Sequence, residues 1–274
     1  MTKIHQQFLD HKSTIEAVLG EPVSISGLTG PLRIFQRLAG HRHSIDDTMT
    51  AWYALQKCPL PDQALDLGSG IGTVGLIVLW GLSPTASLTC IEAQDVSFKL
   101  LQANVACNSL TERVQTIHGD LRDLHLERKF KLVTGSPPYF PREAGVLPAD
   151  SQKAHARFEL RGDVGDYARA VKRHLSDDGV FIFCFPFQQK KRCMELVREA
   201  GLKLLTVRDV VPRPEKPALF SLYSACLGLP DRPPAELVEE PAFLVADASG
   251  KHTPEMAKVQ SSRGFGPDGT NIIG

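Results

Sequence analysis

Apolar residues at Ile4, Phe8, Ile15 and Leu19 fall on one side of a helix over residues 3–19, and Gly20 marks its end. Residues 20–45 keep no period and collect Arg33, Arg37, His41, Arg42 and His43, so this stretch is expected to be irregular. A helix capped by Asp46 or Asp47 should follow and run to about Cys58. From Gln63 onward, short apolar runs alternate with helical patterns, the signature of an α/β, doubly wound, mostly parallel sheet. The runs predict strands near 63–67, 87–92, 113–118, 130–135 and 179–185, with helices near 72–80, 95–107 and 163–175. In the helix at 95–107, Asp95 is the expected cap, and Val96, Leu100, Ala103 and Cys107 form one apolar face. A helix over 188–200 precedes strands near 203–210 and 219–227, bent apart as a wide hairpin by the proline-rich 212–217. Residues 230–241, rich in Pro and Glu, read as a linker, and 263–274 as a short strand with a frayed tail. The resulting division is an N-terminal helical extension (1–60), a main domain (61–229) and a linker with C-terminal tail (230–274).

Composition narrows the classes. The 274 residues can bury a sizeable core, and 31 Lys/Arg against 31 Asp/Glu leave no global basic field to announce a nucleic-acid protein. The balance is uneven: residues 153–216 hold 14 basic against 9 acidic residues, a modest surplus of the kind ordinary surfaces also show. Six cysteines lack any C-x-x-C spacing, and Cys90, Cys184 and Cys226 lie in apolar runs, which suits core thiols in a reducing compartment. The N-terminus lacks a signal-peptide pattern and the uncharged run from Ile71 to Leu82 is too short to span a bilayer, so a cytoplasmic protein without a membrane partner is expected.

The sharpest chemical signal is Ala64-Leu-Asp66-Leu-Gly68-Ser69-Gly70-Ile-Gly72, an apolar strand that ends in an acid and runs into glycines opening a helix. Glycine serves where the backbone turns tightly and a ligand must approach without a Cβ between them. In doubly wound sheets this turn lies at the carboxyl edge, where cofactors bind. The next strand ends in Glu92, suited to accept both hydroxyls of a ribose. Gly70-x-Gly72-x-x-Gly75 with Glu92 also matches the dinucleotide pattern, so an NAD-dependent oxidoreductase is the competing reading. Asp66 argues against it, because a carboxylate there would repel a pyrophosphate but hold the ammonium of S-adenosylmethionine. The third strand ends in His118-Gly119-Asp120-Leu121, where Asp120 can accept a hydrogen bond from an adenine amino group. After the fourth strand, Gly135-Ser136-Pro137-Pro138-Tyr139-Phe140 fixes a rigid extended loop at the same edge, with Tyr139 as a stacking surface.

In this order the motifs resemble a class I methyltransferase, a Rossmann-like fold with a seven-stranded sheet, carrying the fourth motif of amino-group methylation. More narrowly, the chain resembles the small-domain methyltransferases related to the bacterial tRNA(Val) adenine-37 N6-methyltransferase. Gly40-His-Arg-His-Ser-Ile-Asp46, Ala156-Arg157-Phe158-Glu159 and Asp166-Tyr167 match segments of that group, and the likeness spans about residues 33–227. The resemblance implies S-adenosylmethionine as cofactor, held by Asp66, Gly68, Ser69, Gly70, Gly72, Glu92, Asp120 and Leu121. It also implies methyl transfer at Ser136, Pro137 and Tyr139 to an amino or amide nitrogen, with RNA, and tRNA in particular, as the expected substrate. Ser136 departs from the usual Asn or Asp of adenine N6 and glutamine amide enzymes, and Ser-Pro-Pro-Tyr is familiar from cytosine N4 methylation. A protein amide or a small molecule therefore stays open as acceptor.

Three further features remain. The long connection from Phe140 to Arg161 reads either as a substrate-ordering lid carrying Arg157 and Arg161 or as a solvated loop. Lys190-Lys191-Arg192 reads as a nucleic-acid contact or a solvated face. His41 and His43 show no metal-ligand spacing, so no metal site is expected; His43 and Asp46 are candidates for the cofactor pocket.

Overall fold

In a computed structural model of the chain, the described residues are 2–58, 60–141, 143, 145, 148–229, 236–266 and 270. Helix α1 (Lys3–Leu19) runs as the apolar spacing predicts, from a Thr2 cap to Gly20 in the left-handed region at φ 71°. The segment expected to be irregular instead forms an antiparallel hairpin, β1 (Val23–Thr29) and β2 (Leu32–Arg37). Its stability is tertiary. The N–H groups of Arg33 and Phe35 donate to the Asn108 and Asn104 side chains at 3.0 and 2.7 Å. Asn108 Nδ2 donates back to the Arg33 carbonyl at 2.7 Å. Two side-chain amides thus satisfy a strand edge as a neighbouring strand would.

Helix α2 (Ile45–Lys57) begins with Ser44 as its cap. Asp47 accepts from the Ser44 N–H at 3.0 Å as the third residue of a capping box. Neither Asp46 nor Asp47 is the cap, and Asp46 is left to bond elsewhere.

The main sheet holds β3 (Gln63–Leu67), β4 (Ser87–Glu92), β5 (Val114–His118), β6 (Phe130–Gly135), β7 (Leu175–Pro186), β8 (Leu202–Val211) and β9 (Phe220–Leu227). To these seven an eighth is added, β10 (Val238–Leu244), in the order β10-β8-β9-β7-β6-β3-β4-β5. All neighbours are parallel except β9, which runs against both β7 and β8. β10 corrects the linker expectation for 238–241; that expectation for 230–235 lies outside the described residues. Its Glu239, Glu240 and Pro241 are residues that protect a sheet edge from further pairing, which is why the segment reads as non-strand.

Between the strands lie α3 (Thr73–Gly81), α4 (Asp95–Cys107), α5 (Ser151–Arg157), α6 (Val164–His174) and α7 (Lys190–Glu199). α4 is capped by Gln94 rather than by Asp95, which instead pairs with Lys99 at 2.7 Å. A last helix, α8 (Pro254–Ser262), follows β10 and buries Met256 and Val259 in the core. Arg263 then packs on the hairpin: its carbonyl accepts from the Gly30 N–H at 2.6 Å, and its Nη2 donates to the Leu28 carbonyl at 2.5 Å. Residues 263–266 are therefore docked, not frayed; 267–269 and 271–274 lie outside the described residues.

Two apolar clusters fill the fold. One joins Phe8, Phe35, Met49, Leu76, Leu100 and Phe243. The other includes Phe181, Phe183 and Tyr223, whose rings stack at 4.6 and 4.9 Å. Among the described residues no helix is long and apolar enough to cross a membrane. All six cysteines are free thiols, and five of them are buried.

Candidate active site

The sheet order reverses beside β3, which has β4 on one side and β6 on the other. Loops leaving the carboxyl ends of these strands diverge there and leave a crevice. A cavity of about 380 Å³ occupies it, and all of the sequence-predicted site residues except Gly72 line it. Gly72 stands one position behind, as the left-handed cap of α3 at φ 93°.

Asp66 ends β3 at 1 % exposure. Its Oδ1 accepts from Thr134 Oγ1 at 2.7 Å, while Oδ2 is buried without a hydrogen-bond partner. Burial pushes this carboxyl up to about 6, against the pull of the Thr134 hydrogen bond. A buried carboxylate oxygen left unpaired suits a cationic or hydrogen-bonding ligand group. The turn above it needs glycine at position 68. There φ is +61°, and an added Cβ would lie 2.0 Å from Tyr167 Oη. At Gly70, by contrast, a Cβ would meet nothing within 4 Å, because this residue faces the open cavity. Ser69 stabilises the turn itself, its Oγ donating to the Asp66 carbonyl at 2.8 Å.

Glu92, at the end of β4, is 5 % exposed and accepts from the Gly70 N–H at 2.8 Å and the Gln94 N–H at 2.7 Å. Burial lifts it to about 7 despite these donors. Asp120 behaves differently. Arg122 grips it through Nε and Nη2 at 2.9 and 2.7 Å, and that bond holds its carboxyl below the ordinary range. Leu121 is buried beside it.

The loop after β6 forms the opposite wall. Pro137 and Pro138 are buried, and Ser136 Oγ is buried with no hydrogen-bond partner. Tyr139 Oη donates to Asp46 Oδ2 at 2.5 Å and lies 3.2 Å from Cys184 Sγ. Burial raises this phenol well above its usual value, and the neighbouring Cys184 and Asp46 add to the effect. Tyr139 and Phe140 also border a second, mainly apolar recess with Ile45, Pro186, Leu219 and Phe220.

The connection after Phe140 contains α5, which roofs the cavity with Gln152, His155, Ala156 and Arg157. Arg37 of β2 clasps the roof. Its guanidinium donates to Asp150 at 2.7 Å and to Gln152 at 3.1 Å, and also to Glu21 at 2.6 Å. Gln152 in turn donates to Ser97 at 3.0 Å. Arg161 donates to the Ala93 carbonyl at 2.7 Å, and Arg157 lies over the Phe140 ring.

His43 and Asp46 both reach the cavity, as do His41 and Asp47. Burial opposes the Asp47 charge, but His43 and the Ser44 N–H outweigh it and hold the carboxyl low. Gln152 and Ser97 are lining residues that the motifs did not reveal, since neither follows a strand end, and Tyr167 of the Asp166-Tyr167 segment lines the cavity as well. The Lys190–Arg192 run is mostly spent on carboxylates. Lys190 pairs with Asp209 and Glu239, and Arg192 with Glu159, leaving only Lys191 fully outward. Among the described residues no group of His, Cys, Asp and Glu is arranged to hold a metal ion.

Comparison with known proteins gives the family and the fold. Residues 47–153 match the family model described as the methyltransferase small domain. The chain is 23 % identical over 192 residues to the tRNA1(Val) (adenine(37)-N6)-methyltransferase of Actinobacillus pleuropneumoniae, covering 70 % of this chain and 77 % of that protein. It is 26 % identical over 176 residues to the enzyme of the same name from Vibrio cholerae, covering 63 % and 72 %. In fold it is similar to a predicted O-methyltransferase from Agrobacterium tumefaciens, with a TM-score of 0.59 at 18 % identity over 80 % of this chain and 97 % of that one. The family match decides between the two cofactors that the glycine loop allows, in favour of S-adenosylmethionine. The chain is a class I S-adenosylmethionine-dependent methyltransferase with a methyltransferase small domain, a distant homologue of the tRNA1(Val) adenine-37 N6-methyltransferases.

Proposed function

We propose that this enzyme methylates an exocyclic amino nitrogen of an RNA base, with adenine N6 in a tRNA favoured. The observation that carries the reading is Ser136 Oγ, a buried acceptor without a partner on the cavity wall, in a loop stiffened by Pro137 and Pro138. S-adenosylmethionine supplies an electrophilic sulfonium methyl. Asp66 Oδ2 suits its ammonium, Glu92 the ribose hydroxyls, and Asp120 with Leu121 the adenine; Gly68, Ser69, Gly70 and Gly72 let the backbone approach closely.

An amino nitrogen conjugated to a ring is a poor nucleophile because its lone pair is delocalised. Accepting its two N–H bonds at Ser136 Oγ and the Pro137 carbonyl would localise that pair and aim it at the methyl. Tyr139 offers a flat surface for the ring. As the N–CH₃ bond forms the S–CH₃ bond breaks, the neutral thioether S-adenosylhomocysteine leaves, and the methylated nitrogen then loses one proton to water, so the work of these residues is alignment and electrostatics rather than strong base catalysis. The recess between Phe140, Pro186, Leu219 and Phe220 opens on the same tyrosine and gives an acceptor ring an apolar approach. A base within a paired stem would first have to leave its stack. The names of the curated relatives support RNA as substrate.

A protein amide or a small molecule is the second reading, favoured by the pairing of Lys190 and Arg192 with carboxylates instead of free exposure. Labelled methyl transfer into RNA, protein and small-molecule fractions separates the two. Label in RNA that is lost in Ser136→Ala and Tyr139→Ala is the expected result. Label in protein alone would reject the RNA reading, and both variants keeping full transfer would reject the assigned roles.

A further inference from the structure

The Pro-Pro-Tyr loop is anchored from an element that no motif joins to it. Asp46 stands in the first turn of α2, 93 residues before Tyr139, and receives its hydroxyl at 2.5 Å. Asp46 is itself fixed, since Ser44 Oγ bonds to its other carboxylate oxygen. From the far side, Gln189 Nε2 donates to the Tyr139 carbonyl at 2.5 Å. Asp46 and Tyr139 both line the cofactor cavity and the adjoining apolar recess, so their bond stands where the two hollows meet.

Packing already holds the body of the ring. Tyr139 lies edge-on to Phe185 at 5.9 Å and touches both apolar clusters. That packing bears on the faces and edges of the ring and leaves its far end, the hydroxyl, to be placed by a bond. A phenol bonded to a carboxylate makes a short, directional, charge-assisted bond, and because the hydroxyl lies on the ring's own axis the bond fixes where that axis ends. The hydroxyl points into protein, so the ring face is what remains to meet an acceptor.

We propose that Asp46 is a positioning residue for methyl transfer, holding the end of the Tyr139 ring at the junction of the cofactor cavity and the acceptor recess. This rests on the nitrogen-transfer reading above. Asp46 contributes through Tyr139, so its removal should cost turnover far more than cofactor binding.

The test compares Asp46→Ala, Asp46→Asn, Tyr139→Phe and the Asp46→Ala/Tyr139→Phe double variant in steady-state transfer to the labelled acceptor. S-adenosylhomocysteine binding is measured in parallel. Asp46→Ala is expected to lower kcat about 10- to 100-fold, the loss of one charge-assisted bond, with a much smaller change in S-adenosylhomocysteine affinity. Asp46→Asn, which still offers an oxygen to the phenol, should recover much of kcat. The double variant should be no worse than the poorer single one, because both remove the same bond. If Asp46→Ala does not fold, Asp46→Asn against Tyr139→Phe decides: equal losses overturn the proposal, and a smaller loss in Asp46→Asn sustains it. Wild-type kcat in Asp46→Ala, or losses that multiply in the double variant, also overturn it. Wild-type protein that binds S-adenosylhomocysteine but labels no nitrogen acceptor removes the underlying reading and the proposal together. Activity in the wild type with an unaffected Asp46→Ala removes the proposal alone.

Discussion

Glu92 locks the glycine turn to the start of the following helix: one carboxylate oxygen takes the Gly70 N–H at 2.8 Å, the other the Gln94 N–H at 2.7 Å. The bond joins the loops after β3 and β4 before any ligand arrives. A carboxylate so placed is both a structural tie and a charge held out of water, and the second property has consequences for pH.

Asp66 and Glu92 have folded values of about 6 and 7, raised by burial above those of an unfolded chain. The folded state then binds protons more tightly than the unfolded one. The stability linked to these groups is fully present below their unfolded values and is lost as pH rises through 6 and 7. Ligand binding runs the other way. An ammonium at Asp66 and hydroxyls at Glu92 favour the ionised carboxylates, so binding should release protons. S-adenosylhomocysteine affinity is expected to rise from pH 5 to pH 8 while the melting temperature of the free protein falls. Calorimetry in buffers of different ionisation enthalpy measures the protons directly. A flat affinity with no proton release would remove both carboxylates from the binding role.

Gly68→Ala should damage the turn in two ways at once. The residue has φ +61°, and the new methyl would sit 2.0 Å from Tyr167 Oη and 2.9 Å from its Cζ. Backbone strain of this kind costs about 1–3 kcal/mol, and the collision adds to it. Denaturant unfolding should show at least that loss, together with weaker S-adenosylhomocysteine binding. Adding Tyr167→Phe removes the closest atom but neither the ring nor the strain, so it should restore only part of the stability. A Gly68→Ala protein as stable as wild type would contradict the tight turn.

The glycine turn, Glu92, Asp120 and the Pro-Pro-Tyr loop were legible because each follows a strand within a few residues, so local pattern and position coincide. What was hidden is tertiary. β2 finds its edge partners in Asn104 and Asn108, some seventy residues away, so its own sequence shows only a broken alternation. β10 carries the charges and proline of a guarded edge and resembles a linker by composition. Gln152 is held at the cavity by Arg37, and the bond between Asp46 and Tyr139 joins two segments 93 residues apart, contacts that no spacing encodes.

Asn104 offers a direct check on that hidden layer. It accepts from the Phe35 N–H at 2.7 Å and donates to the Ile71 carbonyl at 2.9 Å, tying the hairpin to the cofactor loop while fully buried. Asn104→Ala leaves a buried N–H and a buried carbonyl without these partners, at a cost of about 1–3 kcal/mol for each unsatisfied group. Because Ile71 lies inside the glycine turn, the variant should also bind S-adenosylhomocysteine more weakly than its stability loss alone explains. Amide exchange should rise at Phe35. Unchanged exchange there would mean that the hairpin holds its edge without the amide.

Ser136 separates stability from activity. Its Oγ is buried and bonds to no other protein group, so truncating it breaks no hydrogen bond of the fold. Ser136→Ala removes the unpaired group and leaves the Pro137-Pro138 backbone as it was. The variant should therefore be about as stable as wild type. Transfer should fall nonetheless, by about 10²- to 10³-fold if the hydroxyl is one of two acceptors for the reacting amino group. Thermal unfolding and kcat measured on the same preparation give both numbers. A structural serine would lose stability on truncation and activity only in proportion. Stability kept with activity lost is the signature of a group kept for a ligand, and a stable Ser136→Ala with full activity would deny it that role.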